Sequence, residues 1–230
     1  MVWIAIFFAN AAVLVLEIVG ARALAPFFGD TAESWAGILG VVLLGLAIGY
    51  WGGGIVADRI KDHARHLTLL TAVLAAAGLS TMTSWLSIGA IAGLGSYLVP
   101  LLGLTGAAAV AALFILFLPS VFLAAVSPIS VKILLATLEK SATVVGRVSA
   151  LGAAGSVIGS LGVGAFVIPY VGSHTTLLAI GVLLLILSLV VALVGRGVAI
   201  VVACVVATFV AGAVSTTNAA YPTRLIRGTV

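Results

Sequence analysis

Leu67–Val131 reads LTLLTAVLAAAGLSTMTSWLSIGAIAGLGSYLVPLLGLTGAAAVAALFILFLPSVFLAAVSPISV, with no Asp, Glu, Lys, Arg or His anywhere in it. A helix crosses the hydrocarbon of a bilayer in about 20 mostly apolar residues. The stretch is too long for one crossing and long enough for two. Gly89 to Gly106 divides it, since its glycines and Pro100 interrupt the pattern; Ser96, Tyr97 and Pro100 read as an interfacial turn or a short re-entrant piece. The same ruler applied outward gives seven candidate spans, near 2–25, 36–57, 67–88, 107–127, 144–168, 174–194 and 198–215. The expectation is an all-α polytopic bundle over residues 1–215, followed by a polar tail over 216–230.

Composition supports that class. Of the 230 residues, 63% are hydrophobic and 7% charged, with a mean hydropathy of +1.41. Soluble domains carry about 25% charged residues. So few charges cannot cover a water-facing surface, which excludes a soluble catalytic domain, a nucleic-acid binder and a disordered regulator. The lipid bilayer is the expected partner, and nucleic acid is not. The net charge of +4 therefore speaks to orientation. Arg59, Lys61 and Arg65 follow the second span, Lys132, Lys140 and Arg147 lie between the fourth and fifth, and Arg196 follows the sixth. The positive-inside rule then puts the amino terminus in the cytoplasm, in a membrane of prokaryotic cytoplasmic type. Seven spans would leave Arg224 and Arg227 outside, a conflict that disappears if 198–215 is re-entrant or interfacial.

Segment 2–25 resembles a signal peptide at Ala23-Leu24-Ala25. Pro26 would follow the cut, however, and no basic residue opens the run, so it reads as a retained helix. The lone Cys204 offers neither a disulfide framework nor a metal cluster. His63 and His66 could share a metal, but neighbouring Arg65 opposes it. No phosphate-binding glycine loop, nucleophile–base set or zinc set is visible, so neither a metal nor a cofactor is expected.

Small residues recur on two spans. Gly45, Gly49, Gly53 and Ala57 line one face of the second; Gly152, Ser156, Ser160 and Gly164 line one face of the fifth, with Gly155 and Gly159 beside them. In lipid, close backbone approach through small residues holds helices together. These ridges predict that helices two and five pack on each other or on a second protomer, as a homodimer. Pro119 is expected to kink the fourth span and Pro128 to stop it.

A charge within a span needs a reason, because it costs about 2.5–3.5 kcal/mol at the centre. Glu17 stands about 22 Å along the first helix at 1.5 Å per residue. Asn10, seven residues earlier, falls on nearly the same face. The pair predicts a polar stripe turned into the bundle. Asp30 and Glu33 follow at the outer mouth with Trp35 as an interfacial anchor, while Arg22 is placed to snorkel. One reading is an acidic vestibule for a cation, with Glu17 as a ligand or protonatable group. The other leaves Glu17 buried and neutral, or bonded to another helix, with Asp30 and Glu33 merely solvated.

Three stretches together resemble a known family. The first is Leu16-Glu17-Ile18-Val19-Gly20-Ala21-Arg22-Ala23-Leu24-Ala25-Pro26-Phe27-Phe28-Gly29, leading to Trp35. The second is Gly45-Leu46-Ala47-Ile48-Gly49-Tyr50-Trp51-Gly52-Gly53-Gly54-Ile55-Val56-Ala57-Asp58-Arg59. The third runs from Gly146-Arg147-Val148-Ser149-Ala150-Leu151 through Gly155-Ser156-Val157-Ile158-Gly159-Ser160 to Ile168-Pro169-Tyr170-Val171-Gly172. In this order they resemble the membrane half of spermidine synthase-like proteins, described as major-facilitator-like domains fused to a spermidine synthase. The resemblance covers residues 10–195. It implies half of a major-facilitator-like unit, and a bundle that anchors, or passes cationic polyamine to, an aminopropyltransferase domain. That domain has no counterpart within these 230 residues, so this chain by itself is not expected to be an enzyme. Gly54, Asp58 and Arg59 also resemble the loop between helices two and three of major facilitator transporters, where the acid and arginine brace the inner gate. Alternatives are a small transporter working as a dimer and a purely structural membrane subunit.

Overall fold

The computed structural model describes residues 1–92, 95–135 and 141–195. Everything regular in them is helical: α1 Val2–Phe28, α2 Ala32–Arg59, α3 His63–Ala92, α4 Gly95–Ala112, α5 Leu118–Leu135, α6 Ser141–Gly162, α7 Ile168–Val171 and α8 Ser173–Gly195. Two π-helical turns, Leu113–Phe117 and Val163–Val167, join α4 to α5 and α6 to α7. Six helical stretches are long and apolar enough to cross a membrane: Val2–Phe28, Ala32–Arg59, Ala64–Ser84, Gly95–Leu135, Ser141–Val171 and Thr175–Leu193. The chain is an integral membrane protein with an all-α bundle. The seventh candidate, 198–215, lies outside the described residues.

None of the three closest helix pairs is consecutive in the chain: α1 packs along α6, α2 along α5 and α3 along α8. The α2 contacts climb with α5, from Gly45 at Phe117 and Ser120 through Gly53 at Ala125 to Asp58 at Lys132. Those helices are therefore parallel. So are α1 and α6, where Phe7 meets Gly155 and Ala11 meets Gly159. The α3–α8 pair is antiparallel: Gly78 meets Gly181, and the Ser188 hydroxyl donates to the Thr71 carbonyl at 2.8 Å. Helix α1 is central, touching α2, α3, α4, α5, α6 and α8. Its buried Leu16, Val19 and Leu24 join Leu70, Leu74, Ile115, Leu123, Ile129 and Leu184 in one core.

The glycine ridges pack as closely as expected but not on each other. A Cβ on Gly53 would lie 2.8 Å from the Ala125 Cα, and one on Gly159 would lie 2.9 Å from the Ala11 Cβ. Spans two and five thus meet spans four and one within the chain. The reason is topological: small residues let two backbones approach, and they do not choose which backbone arrives.

Proline placement has a regular consequence. Each π-helical turn ends two residues before a proline, Pro119 or Pro169. A proline has no N–H for the carbonyl four residues back, and its ring crowds that carbonyl. At Pro119 the abandoned acceptor is Ile115, and the buried Ser84 hydroxyl of α3 reaches it, sharing its one proton with the Ser80 carbonyl of its own helix at 2.7 Å. In lipid such a carbonyl must be satisfied from within the protein. Pro128, expected to stop its helix, does not: α5 continues to Leu135. Its ring sits beside Gly54 of α2.

The division of the long uncharged stretch also differs in detail. Helix α3 passes through Gly89 to Ala92, and Pro100 lies inside a helical piece. The break in α4 is Gly103, at φ 68°. Tyr97 and Leu101 on this piece are largely exposed.

Two helix endings are built alike. Ala25-Pro26-Phe27-Phe28-Gly29 closes α1, and Ile168-Pro169-Tyr170-Val171-Gly172 closes α7. Each ends on a glycine at positive φ, 75° and 80°, whose N–H donates four residues back, at 2.8 and 3.1 Å. A side chain would be strained at that φ.

Candidate functional site

Asn10 lies in the α1–α6 seam. Its Nδ2 donates to the Ile6 carbonyl at 2.8 Å, its side chain rests against Gly152, and its own carbonyl accepts from Ser156 Oγ at 3.1 Å. Ser160 bonds only the carbonyl of Val157 on its own helix. Two turns further along α1 comes Glu17. It is half-buried, and its carboxylate has no hydrogen-bond or ion-pair partner among the described residues. Neither sequence reading describes this fully. Glu17 is not deeply buried, and no other helix bonds it.

The outer acids separate. Glu33 is exposed in the first turn of α2, where a negative charge suits the helix dipole. Asp30 instead lines a cleft of about 420 Å³ with Ile18, Arg22, Ala25, Pro26 and Trp35. Trp35 Nε1 donates to Asp30 Oδ1 at 2.7 Å. The sequence presents Arg22 and Trp35 singly, as a snorkelling cation and an interfacial anchor. The sequence signal that joins them is the Pro26–Gly29 reversal, which folds the residues before it against those after it.

At the opposite end of α2, Asp58 Oδ1 pairs with Lys132 Nζ at 2.7 Å, tying α2 to the last turn of α5. Arg59 is exposed without an ion-pair partner among the described residues, and Gly54 abuts Pro128. The acid of the loop motif thus ties the end of α2 to α5. His66 is buried, with Nε2 3.0 Å from the Ala57 carbonyl, so it closes the end of α2. Its Nδ1 is buried and unpartnered. Among the described residues no group of three potential metal ligands assembles.

A second, apolar groove of about 220 Å³ lies between α2, α3 and α5, floored by Gly49, Gly52 and Gly53. It offers shape but no polar recognition.

No family model, no curated protein and no solved structure matches this chain.

Proposed function

We propose that the chain is the membrane domain of a polyamine-handling system of spermidine synthase-like type. It anchors an aminopropyltransferase domain at the bilayer and accepts the cationic substrate at Glu17. The family link rests on the three sequence stretches. The cation rests on one observation, the carboxylate in α1 left half-exposed and unpartnered within a membrane span. Such a charge is costly without a counter-ion, and intramembrane ionisable groups mark solute paths. Asn10 extends the same face, while Asp30 and Glu33 raise the local concentration of cations at one mouth against the opposing charge of Arg22. Lys132 pairing with Asp58 brings the basic residues after spans two and four to one end, which supports a cytoplasmic amino terminus.

Thermal unfolding of the purified protein tests this reading. A ligand that binds only the folded state adds about 2.7 kcal/mol at 100 times its dissociation constant. Putrescine and spermidine should stabilise the native chain above a control cation, and Glu17→Gln should abolish the difference. Equal behaviour of both proteins in all three cations would remove the solute and leave only the structural anchor.

A second reading is a half-unit completed by another copy. It is favoured by the stretch Ser141–Val171, of whose spanning window only 17% is buried and whose Gly162 and Gly164 have nothing close to them among the described residues. A strictly monomeric particle in mild detergent would refute it.

A further inference from the structure

The cleft at the α1–α2 reversal is a built feature. Gly29 N–H donates to the Ala25 carbonyl at 2.8 Å, and the buried Ser34 hydroxyl donates to the Phe28 carbonyl at 2.7 Å. Thr31 Oγ1 accepts the Ser34 N–H at 3.3 Å and caps α2. These bonds fix the three-residue turn from which Asp30 projects. The indole of Trp35 then holds Asp30 by Oδ1, and Oδ2 makes no hydrogen bond among the described residues. Across the cleft, the Arg22 guanidinium likewise has no hydrogen-bond or ion-pair partner there.

Two opposite charges therefore line one cavity without neutralising each other. A simple cation gains from Asp30 and is repelled by Arg22, and a simple anion meets the reverse. Only a ligand carrying both signs gains from both walls. The rest of the lining is apolar, Ile18, Ala25 and Pro26, and Phe27 beside it is exposed. The cleft also sits at the end of a membrane-spanning helix, the level at which tryptophan meets lipid headgroups. We propose that this cleft binds the headgroup of a zwitterionic aminophospholipid, phosphatidylethanolamine. Arg22 receives the phosphate, Asp30 Oδ2 receives the primary ammonium, and Trp35 supplies an aromatic edge beside it.

Arginine suits phosphate because its planar fork can donate two parallel bonds. The primary amine matters because Asp30 Oδ2 is an acceptor waiting for an N–H. A quaternary choline offers charge but no donor. Ethanolamine over choline is thus the discrimination this geometry makes. The site shares Asp30 with the cation path proposed above but does not include Glu17, and it stands whether or not polyamines bind at Glu17.

The experiment is native mass spectrometry of the full chain in mild detergent, with equal amounts of phosphatidylethanolamine, phosphatidylcholine and phosphatidylglycerol. Phosphatidylethanolamine should be retained about tenfold over phosphatidylcholine, the scale of one charge-assisted hydrogen bond. Arg22→Gln should lower its retention about as much, and Asp30→Asn should erase the preference over phosphatidylcholine and raise the retention of phosphatidylglycerol. Both side chains are exposed, so an unchanged elution profile is expected, and the comparison between lipids on the native chain needs no variant. Glycerophosphoethanolamine, the same headgroup without acyl chains, separates lipid from soluble zwitterion. Displacement at equal concentration would overturn the lipid assignment. Equal retention of the three lipids by the native chain, or retention unaffected by both substitutions, would overturn the site.

Discussion

The α2–α5 and α1–α6 seams use the same device to different ends. Both bring parallel helices together through glycines spaced by one turn, so close that a methyl group at Gly49 or Gly155 would run into a backbone carbonyl of the facing helix, Val121 or Phe7. In the first seam the one hydroxyl met by the glycines, Ser120, bonds its own helix, and the seam is closed at its end by Asp58 and Lys132. The second carries Asn10 and Ser156, and the same face of α1 goes on to an unpaired Glu17. Beyond Gly159, Gly162 of α6 and Gly164 of the following π-helical turn meet nothing among the described residues. One seam is finished within the chain. The other is finished around Asn10 and Ser156 and opens beyond Gly159.

Substituting the glycines puts this comparison at greatest risk. Gly49→Ala and Gly155→Ala should each destabilise by about 1–3 kcal/mol, because the obstacle is backbone and cannot swing aside. Gly52→Ala and Gly162→Ala, in open space, should instead gain about 0.5–1 kcal/mol of helix preference. Thermal unfolding in one detergent measures all four. Equal effects at the filled and open positions would end the distinction.

The next effect concerns how α5 reaches its seam. Ser84→Ala should cost about 1–3 kcal/mol, since it strands the Ile115 carbonyl that Pro119 has already abandoned. In Pro119→Ala the restored N–H can take that carbonyl, so the cost of losing Ser84 should shrink. A double-mutant cycle with no coupling would show that the serine and the proline act separately.

Smaller effects separate the polar seam from the ionic one. Ser156→Ala removes one interhelical bond and should cost about 0.6 kcal/mol, the average for such bonds in membranes. Asp58→Asn should cost about 0.2–1 kcal/mol and lose its effect in high salt, because the Asp58 side chain is 73% exposed and Lys132 40% exposed. A salt-independent loss at Asp58 would point to a role in the seam beyond pairing.

Much of the bundle was legible from residue order. Six apolar runs, each about a bilayer long, fall on six spanning helices, because span length depends on local hydropathy alone. The need for close packing at Gly49, Gly53, Gly155 and Gly159 was legible too. The contact between Gly78 and Gly181 was missed, since neither belongs to a repeating stripe. Pro128 does not stop its helix because the helices packed on α5 hold the backbone through the loss of one N–H bond, and that packing is tertiary. At the candidate sites, Glu17 announced itself as a charge in an apolar run. The company of Arg22 with Asp30 and Trp35 did not, because it arises from a chain reversal.

The sequence by itself determined that this is a helical membrane protein, where its helices run, and which faces must approach another backbone. Those properties follow from composition and period along a single helix, and the bilayer imposes them on each segment separately. The tertiary structure alone decided the partners: span two with four, span five with one, and Asp58 with Lys132. Apolar side chains and glycines are chemically alike on every helix. The choice among them comes from how all the helices fit together at once, and no local pattern encodes that.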